Sequence, residues 1–370
     1  MTNRDHVFRD ALQLHSIPGL DAMRAVAVTM VVLFHQGLPV SGSLGVMIFF
    51  VLSGFLITGM LLREHSRSGT ISLRQFYRRR AYRIFPTFYV CWAVTIGLLV
   101  LQHRPFHWAQ AAASFFYLSD YARAFLPAAQ QVTFPMGISW SLAIEEQFYL
   151  LWPLMLLLVL SRKGRGTTWV GMGIIAIWCW RALLLSVLHG SWDYAYNAFD
   201  TRADALLIGG WLAFALRERR IPWAIPLLVR SQWLVLPSVA ALVVASYMDI
   251  HGSARLWPQL LIFTLEPVLA AIVLVQWVFW GSIGWRFLEF GGVKWIARLS
   301  YAIYLYHPIV LGVQRYIHVP HGQRLLAIPL ILTVACASYY CIERPFMRKR
   351  DHGRNKSVLM DDGLHRAQSN

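Results

Sequence analysis

Apolar runs of roughly 20 residues, the length a helix needs to cross about 30 Å of hydrocarbon, alternate with short polar connections along almost the whole chain. Read against that punctuation, ten spans are expected, at 21–37, 43–62, 84–102, 138–160, 168–188, 203–216, 233–249, 258–280, 299–317 and 324–342. The expected fold class is therefore all-α, a polytopic integral-membrane helical bundle. The run at 203–216 is short for a bilayer, so its helix either begins earlier or enters at a depth already lined by protein. Between the third and fourth spans, "HWAQAAASFFYLSDY" reads as a re-entrant or interfacial helix, followed by a stretch through Pro127 and Pro135 that covers an outward-facing cavity. No internal repeat stands out.

Composition agrees with the pattern. Of the 370 residues, 57% are hydrophobic and 14% charged, which leaves no stretch polar enough for a soluble domain between the spans. The formal charge of +16 comes from basic residues scattered among short loops rather than gathered on one face, so nucleic acid is not an expected partner and the bilayer is. Twenty-six of the 34 Lys and Arg residues fall on the loops that share a side with the termini; the opposite loops hold only Arg104, Arg123, Arg202, Arg255 and Arg324. That bias predicts a multi-pass protein of the inner (plasma) membrane with both termini cytoplasmic. Residues 1–16 then form a cytoplasmic segment without a signal-peptide cleavage site, 17–347 the membrane domain, and 348–370 a polar, disordered tail. Cys91, Cys179, Cys336 and Cys341 lie in or beside apolar runs without metal or disulfide spacing, and are expected to be buried, reduced thiols. No metal site is expected.

Several polar groups interrupt the apolar pattern. In the first span, Arg24 and His35 are 11 residues apart, about 20° from alignment on a helix and roughly 16 Å along it, so they share a face. Either Arg24 snorkels to headgroups and His35 is interfacial, or the pair lines a functional path. Before the third span, "FYRRRAYRIFP" places Arg80 and Arg83 one helical turn apart; the cluster either sets topology and binds anionic lipid, or grips phosphates with two guanidinium forks. "GISWSLAIEEQFYLLWPL" sets Glu145 and Glu146 among Trp140, Phe148, Tyr149 and Trp152. The acids either complement the helix dipole beside an interfacial aromatic belt, or one faces the interior and serves proton transfer. In "FDTRADALLIGGWLA", Arg202 and Asp204 form a structural pair or orient a polar acceptor. "LSYAIYLYHP" reads as a polar-studded helix and "CIERPF" as a helix terminator. The chain has no GxxxxGK[ST], no strand-borne GxGxxG, no HExxH and no GxSxG.

Arg-x10-His, "FFVLSGFLI", "RRRAYRIFP", "WSLAIEEQFYLLWPL", "DTRADALLIG", "LSYAIYLYHP" and a closing "ERPF" occur in one order across residues 17–347. Together they resemble the membrane-bound acyltransferase-3 family, typified by bacterial O-antigen and exopolysaccharide O-acetyltransferases. The resemblance implies that Arg24 and His35 are the signature for acyl transfer. It also implies that Arg80 and Arg83 meet an acyl-CoA donor, acetyl-CoA by family habit, used as a co-substrate with no permanently bound cofactor. Glu145 and Glu146 belong to the active cavity. Some relatives carry a fused extracytoplasmic hydrolase-like domain; none is read after residue 347, so the chain either completes transfer to the final acceptor alone or relies on a separate extracytoplasmic transferase as partner.

Chemistry then orders the roles. His35 serves as general base toward a hydroxyl of a glycan or small-molecule acceptor, or carries the acyl group covalently. Arg24 assists the thioester or the donor phosphates, Glu145 or Glu146 orients the imidazole, and Arg202, Asp204 and Trp140 are the candidates for binding the acceptor. A transporter or flippase of glycan precursors is the non-enzymatic alternative.

Overall fold

The computed structural model describes residues 18–103, 107–125, 136–162, 164–218, 235–251, 256–280, 290–317 and 325–349. The amino-terminal segment 1–16, the stretch holding Pro127 and Pro135, the outer-loop residues Arg104, Arg255 and Arg324, and the tail beyond 349 lie outside them. Every regular element among the described residues is helical. In order they are α1 (Pro18–His35), α2 (Gly42–Ser68), α3 (Leu73–Leu101), α4 (Trp108–Phe115), α5 (Ser119–Phe125), α6 (Ser139–Ser161), α7 (Gly166–Ser186), α8 (Trp192–Asn197), α9 (Phe199–Arg202), α10 (Asp204–Arg217), α11 (Val235–His251), α12 (Leu256–Trp280), α13 (Gly291–Tyr316) and α14 (Ala327–Ser338).

Local chemistry explains where these helices start and stop. The Ser41 hydroxyl accepts from Leu44 N at 3.0 Å to cap α2, and the helix closes at Gly69, whose left-handed φ of 73° lets its N–H reach His65 O. Ser72 caps α3 in the same way, accepting from Gln75 N. For α7 the cap comes from a distant residue: Glu218 accepts from Gly166 N at 2.8 Å, Thr167 N at 3.3 Å and Thr167 Oγ1 at 2.6 Å. A carboxylate there both satisfies orphan amides and complements the helix dipole. It also ties the end of α10 to the start of α7.

By length and composition, seven helices among the described residues can cross a membrane: α2, α3, α6, α7, α12, α13, and α14 with its continuation to Lys349. The other three expected spans are helical but shorter, at 18 residues in α1, 14 in α10 and 17 in α11. Length and composition alone thus support seven of the ten. The run read at 203–216 is preceded by the single turn α9, and most of α10 is buried by protein.

The described chain divides into two compact units. The first comprises residues 1–71 and 106–300, the second 72–105 and 301–370, the boundary falling within α13. In the first unit α2 is central, packed by α1, α6, α10 and α12. Its contact with α10 is backbone against backbone: a Cβ built on Gly54 would collide with Leu206 O, and one on Gly209 with Val51 O. Two glycines therefore set the closeness of this pair, and no larger residue fits. Trp152 Nε1 donates to Thr58 Oγ1 at 2.8 Å, fastening α6 to the same face of α2.

In the second unit, α3 meets the latter part of α13 through two side-chain bonds to backbone. Tyr301 Oη donates to Ile84 O at 3.1 Å, and Cys91 Sγ to Leu305 O at 3.4 Å. The expectation for "CIERPF" needs correcting here, because the helix does not stop. It widens into a π turn at Tyr339–Glu343 and continues as helix through Pro345 to residue 349. Proline lacks an N–H and its ring crowds the carbonyl four residues back, and a wider turn immediately before it relieves that crowding. The cysteine expectation also changes. All four are free, but only Cys91 is buried, while Cys179 and Cys341 are exposed. An apolar run has an outward face as well as an inward one, so a cysteine on it need not be interior.

Candidate functional site

The face of α1 that carries Arg24 and His35 turns inward. Val28 and Val31, which lie between them on that face, are each 1% exposed, and Ala27 beside them is fully buried. Arg24 and His35 themselves are half-buried. Arg24 Nη1 stands 3.9 Å from Asp21 Oδ1, one turn earlier, and Asp21 is within electrostatic reach of Lys294 and Arg298. His35 Nδ1 is 2.8 Å from Val31 O. A carbonyl can only accept, so Nδ1 carries the proton and Nε2 holds the basic lone pair of the neutral ring.

Glu145 and Glu146 are both half-buried on α6. Glu145 Oε1 accepts from Tyr149 Oη at 3.3 Å, and Tyr149 Oη shares a short 2.5 Å bond with Ser53 Oγ on α2. With the Tyr149 proton directed at the carboxylate, Ser53 is the donor to Tyr149. A hydroxyl relay therefore runs Ser53 to Tyr149 to Glu145. Trp140, Phe148 and Trp152 are buried rather than displayed as an interfacial belt.

Arg202 and Asp204 are both buried, but not as a pair. Asp204 Oδ2 instead lies 3.1 Å from Arg181 Nη2 and accepts from Trp178 Nε1 at 2.9 Å, while Oδ1 accepts from Ala205 N. Arg181 completes its fork with Thr201 O at 2.9 Å and Thr264 Oγ1 at 3.0 Å. Two residues apart across the α9–α10 junction, Arg202 and Asp204 diverge because α7 already offers a better-placed cation. Arg202 lies over the rings of Phe263, at 4.0 Å, and Tyr196, at 5.2 Å. Tyr196 in turn packs on Trp140 at 5.3 Å and on Phe263 at 5.3 Å. The structure thus gathers Trp140, Arg202 and Asp204 into one cluster with Arg181, Tyr196, Phe263 and Glu266. Sequence reasoning passed over the last four. Two carried a readable signal, since an arginine at 181 and a glutamate at 266 inside apolar runs demand partners.

Beside this cluster, Asp200, between the expected fifth and sixth spans, accepts from Trp180 Nε1, from Tyr194 Oη and from Tyr121 Oη of the connection between the third and fourth. Burial, and then Asp200, push the Tyr194 hydroxyl up to about 12. Asp120, fully buried, accepts from Gln147 Nε2 at 3.0 Å, and burial raises its carboxyl to about 6 against that bond and backbone N–H contacts. The expected re-entrant segment is two short helices, α4 and α5, fastened by a chain of hydroxyls, Ser114 to Ser139 to Ser119.

In the second unit, Arg80 and Arg83 are half-buried one turn apart on α3, with Arg80 over the Phe76 ring at 5.9 Å. Glu343, buried in the π turn, faces Arg83 electrostatically. The closing "ERPF" thereby contributes a carboxylate opposite one of the two candidate phosphate-binding arginines. Among the described residues, no group of three or more His, Cys, Asp or Glu is placed to hold a metal ion.

The sequence matches the family described as an acyltransferase domain over residues 17–343. The chain belongs to the acyltransferase-3 family. Among family relatives, the peptidoglycan O-acetyltransferase OatA of Listeria monocytogenes is 30% identical over 352 residues, which cover 90% of this chain and 56% of that protein. The O-acetyltransferase OatA of Staphylococcus aureus is 31% identical over 359 residues, covering 90% of this chain and 57% of the relative. This chain spans a little over half the length of these acyltransferase-3 relatives. No solved structure matches it.

Proposed function

We propose that this chain is a membrane-bound O-acyltransferase that moves an acyl group, acetyl by analogy with its named relatives, from acyl-CoA to a hydroxyl of a cell-envelope glycan. The observation that carries the reading is the inward face of α1. In a family of acyltransferases, a histidine whose Nδ1 is tied to Val31 O keeps a basic Nε2 on the same buried face as an arginine. The proposed topology is ten spans in the inner membrane with both termini cytoplasmic, which the charge bias supports.

In the proposed reaction, His35 Nε2 takes the proton of the acceptor hydroxyl as its oxygen attacks the thioester carbonyl. The carbon–sulfur bond breaks, the CoA thiolate leaves, and the imidazolium returns the proton to it, giving an ester and free CoA. Arg24, roughly 16 Å from His35 along α1 and turned toward Asp21, is too far to reach the reacting carbonyl and is suited to the donor phosphates. Glu145, positioned by the Tyr149–Ser53 relay, and Glu146 beside it supply negative charge that favours the imidazolium. Arg80 and Arg83 hold the donor phosphates through charge-assisted hydrogen bonds, and Arg202, with Trp140, is the acceptor side of the machinery.

The test is the release of free CoA from acetyl-CoA by the purified full chain in sealed proteoliposomes, with and without soluble peptidoglycan fragments. Glycan-dependent CoA release with an acetyl ester on the glycan is expected. Movement of glycan across the bilayer without thioester consumption overturns the reading in favour of a transporter.

A further inference from the structure

Arg202 is 1% exposed, and its Nε, Nη1 and Nη2 have no hydrogen-bond partner among the described residues. A guanidinium carries five N–H donors and keeps its charge, so a buried one without acceptors is a rare arrangement that needs an explanation. The nearest acid in sequence does not provide it, because Asp204 is engaged by Arg181 and Trp178. What positions Arg202 is aromatic: the Phe263 ring at 4.0 Å and the Tyr196 ring at 5.2 Å. Those rings continue into a wall, with Trp140 against Tyr196 at 5.3 Å and Trp192 against Phe263 at 5.1 Å.

Charge narrows what those donors are for. Arg202 feels the carboxylates of Asp204 and Glu266 and the guanidinium of Arg181. Glu266 is fully buried on α12, one turn beyond Phe263. Two cations and two anions therefore balance within the cluster. An anionic ligand would add an uncompensated charge to a dry site, which is costly, whereas a neutral oxygen acceptor would satisfy the guanidinium without disturbing the balance.

We infer that Arg202 is the recognition group for a neutral sugar unit of the acceptor, donating to a hydroxyl or N-acyl carbonyl oxygen while the apolar face of the sugar ring lies along the Trp140–Tyr196–Phe263 wall. This assignment rests on the proposed transfer to a glycan, and it specifies that the sugar read at this point carries no charge.

The experiment titrates the purified full chain in nanodiscs with a tetramer of β-1,4-linked N-acetylglucosamine, and separately with tetragalacturonate, following tryptophan fluorescence. The wild type is expected to bind the neutral tetramer. Arg202→Lys, which loses the planar fork, and Phe263→Leu, which keeps the charge but removes the ring that positions it, should each weaken binding at least about tenfold. Equal affinity in the wild type and both variants overturns the inference, as does absence of neutral-sugar binding by the wild type or tighter, Arg202-dependent binding of tetragalacturonate. Acetyl transfer is measured on the same preparations. Arg202-dependent sugar binding without any transfer removes the transferase reading and leaves this assignment standing; transfer and binding both unchanged in the two variants remove this assignment alone.

Discussion

Arg181 and Asp204 form a buried ion pair, Nη2 to Oδ2 at 3.1 Å, between α7 and α10, with both side chains almost wholly excluded from the surface. The pair takes the carboxylate next to Arg202 and so determines which of two neighbouring arginines is left with open donors. Breaking one side of such a pair strands the other charge, which costs about 3–5 kcal/mol, whereas replacing both with apolar residues is often close to neutral. Asp204→Ala should therefore lower the thermal stability of the purified protein sharply, and Arg181→Met combined with Asp204→Leu should recover most of it. Melting curves of detergent-solubilised protein decide the point; a single variant as stable as the wild type would show that the pair contributes little.

His35 offers a cleaner functional test because it is half-buried and makes its observed bond to a backbone carbonyl. His35→Ala should lose at least about 100-fold in acetyl transfer, the scale of general-base catalysis, with membrane insertion and melting temperature close to wild type. Substantial retained activity would remove the histidine from the chemistry. Exposure to acetyl-CoA alone, without glycan, separates the routes: acetyl label on the wild type that His35→Ala lacks would mark a covalent intermediate.

The contact of α2 with α10 makes a prediction from two glycines. Gly209→Ala drives a methyl into Val51 O and should reduce yield and melting temperature severely. Gly59→Ala, on the same helix as Gly54 but with nothing within 4 Å of its added methyl, should be neutral or slightly stabilising, since alanine is favoured over glycine within a helix by about 1 kcal/mol. Comparable melting temperatures in the two variants would mean that the helices do not approach this closely.

Asp120 predicts a pH dependence. Its folded carboxyl, raised by burial to about 6, holds a proton through a window, from about 4 to 6, in which the unfolded chain has already lost it. Stability should therefore fall as pH rises through that window, by roughly 1–3 kcal/mol, and stay flat above it. Asp120→Asn keeps a carbonyl oxygen for the Gln147 amide and cannot ionise. Its melting temperature relative to wild type should increase between pH 4 and pH 7, and a difference that does not change with pH would contradict the assignment.

Much of this was legible from local chemistry. Runs of apolar residues predict helices, and the described residues of the ten stretches read as spans are largely helical, though length and composition pick out seven of them and not α1, α10 and α11. The spacing of Arg24 and His35 was enough to place them on one face, because helical periodicity is a local property. Less legible were matters of partnership. Adjacency in sequence pointed to Arg202 with Asp204, whereas the packing of α7 beside α10 supplied Arg181 instead. The "ERPF" stretch, read as a stop, became a π turn that carries Glu343 toward Arg83.

The sequence by itself determined an all-helical membrane chain, its family and the residues capable of acid–base chemistry, because hydropathy, periodicity and motif order are written along one dimension. Only the tertiary structure decided which charges neutralise each other and which stay available. Inside a protein a guanidinium or carboxylate is governed by whatever lies within a few ångströms, and those neighbours, Arg181 for Asp204 and Phe263 for Arg202, come from helices far away along the chain.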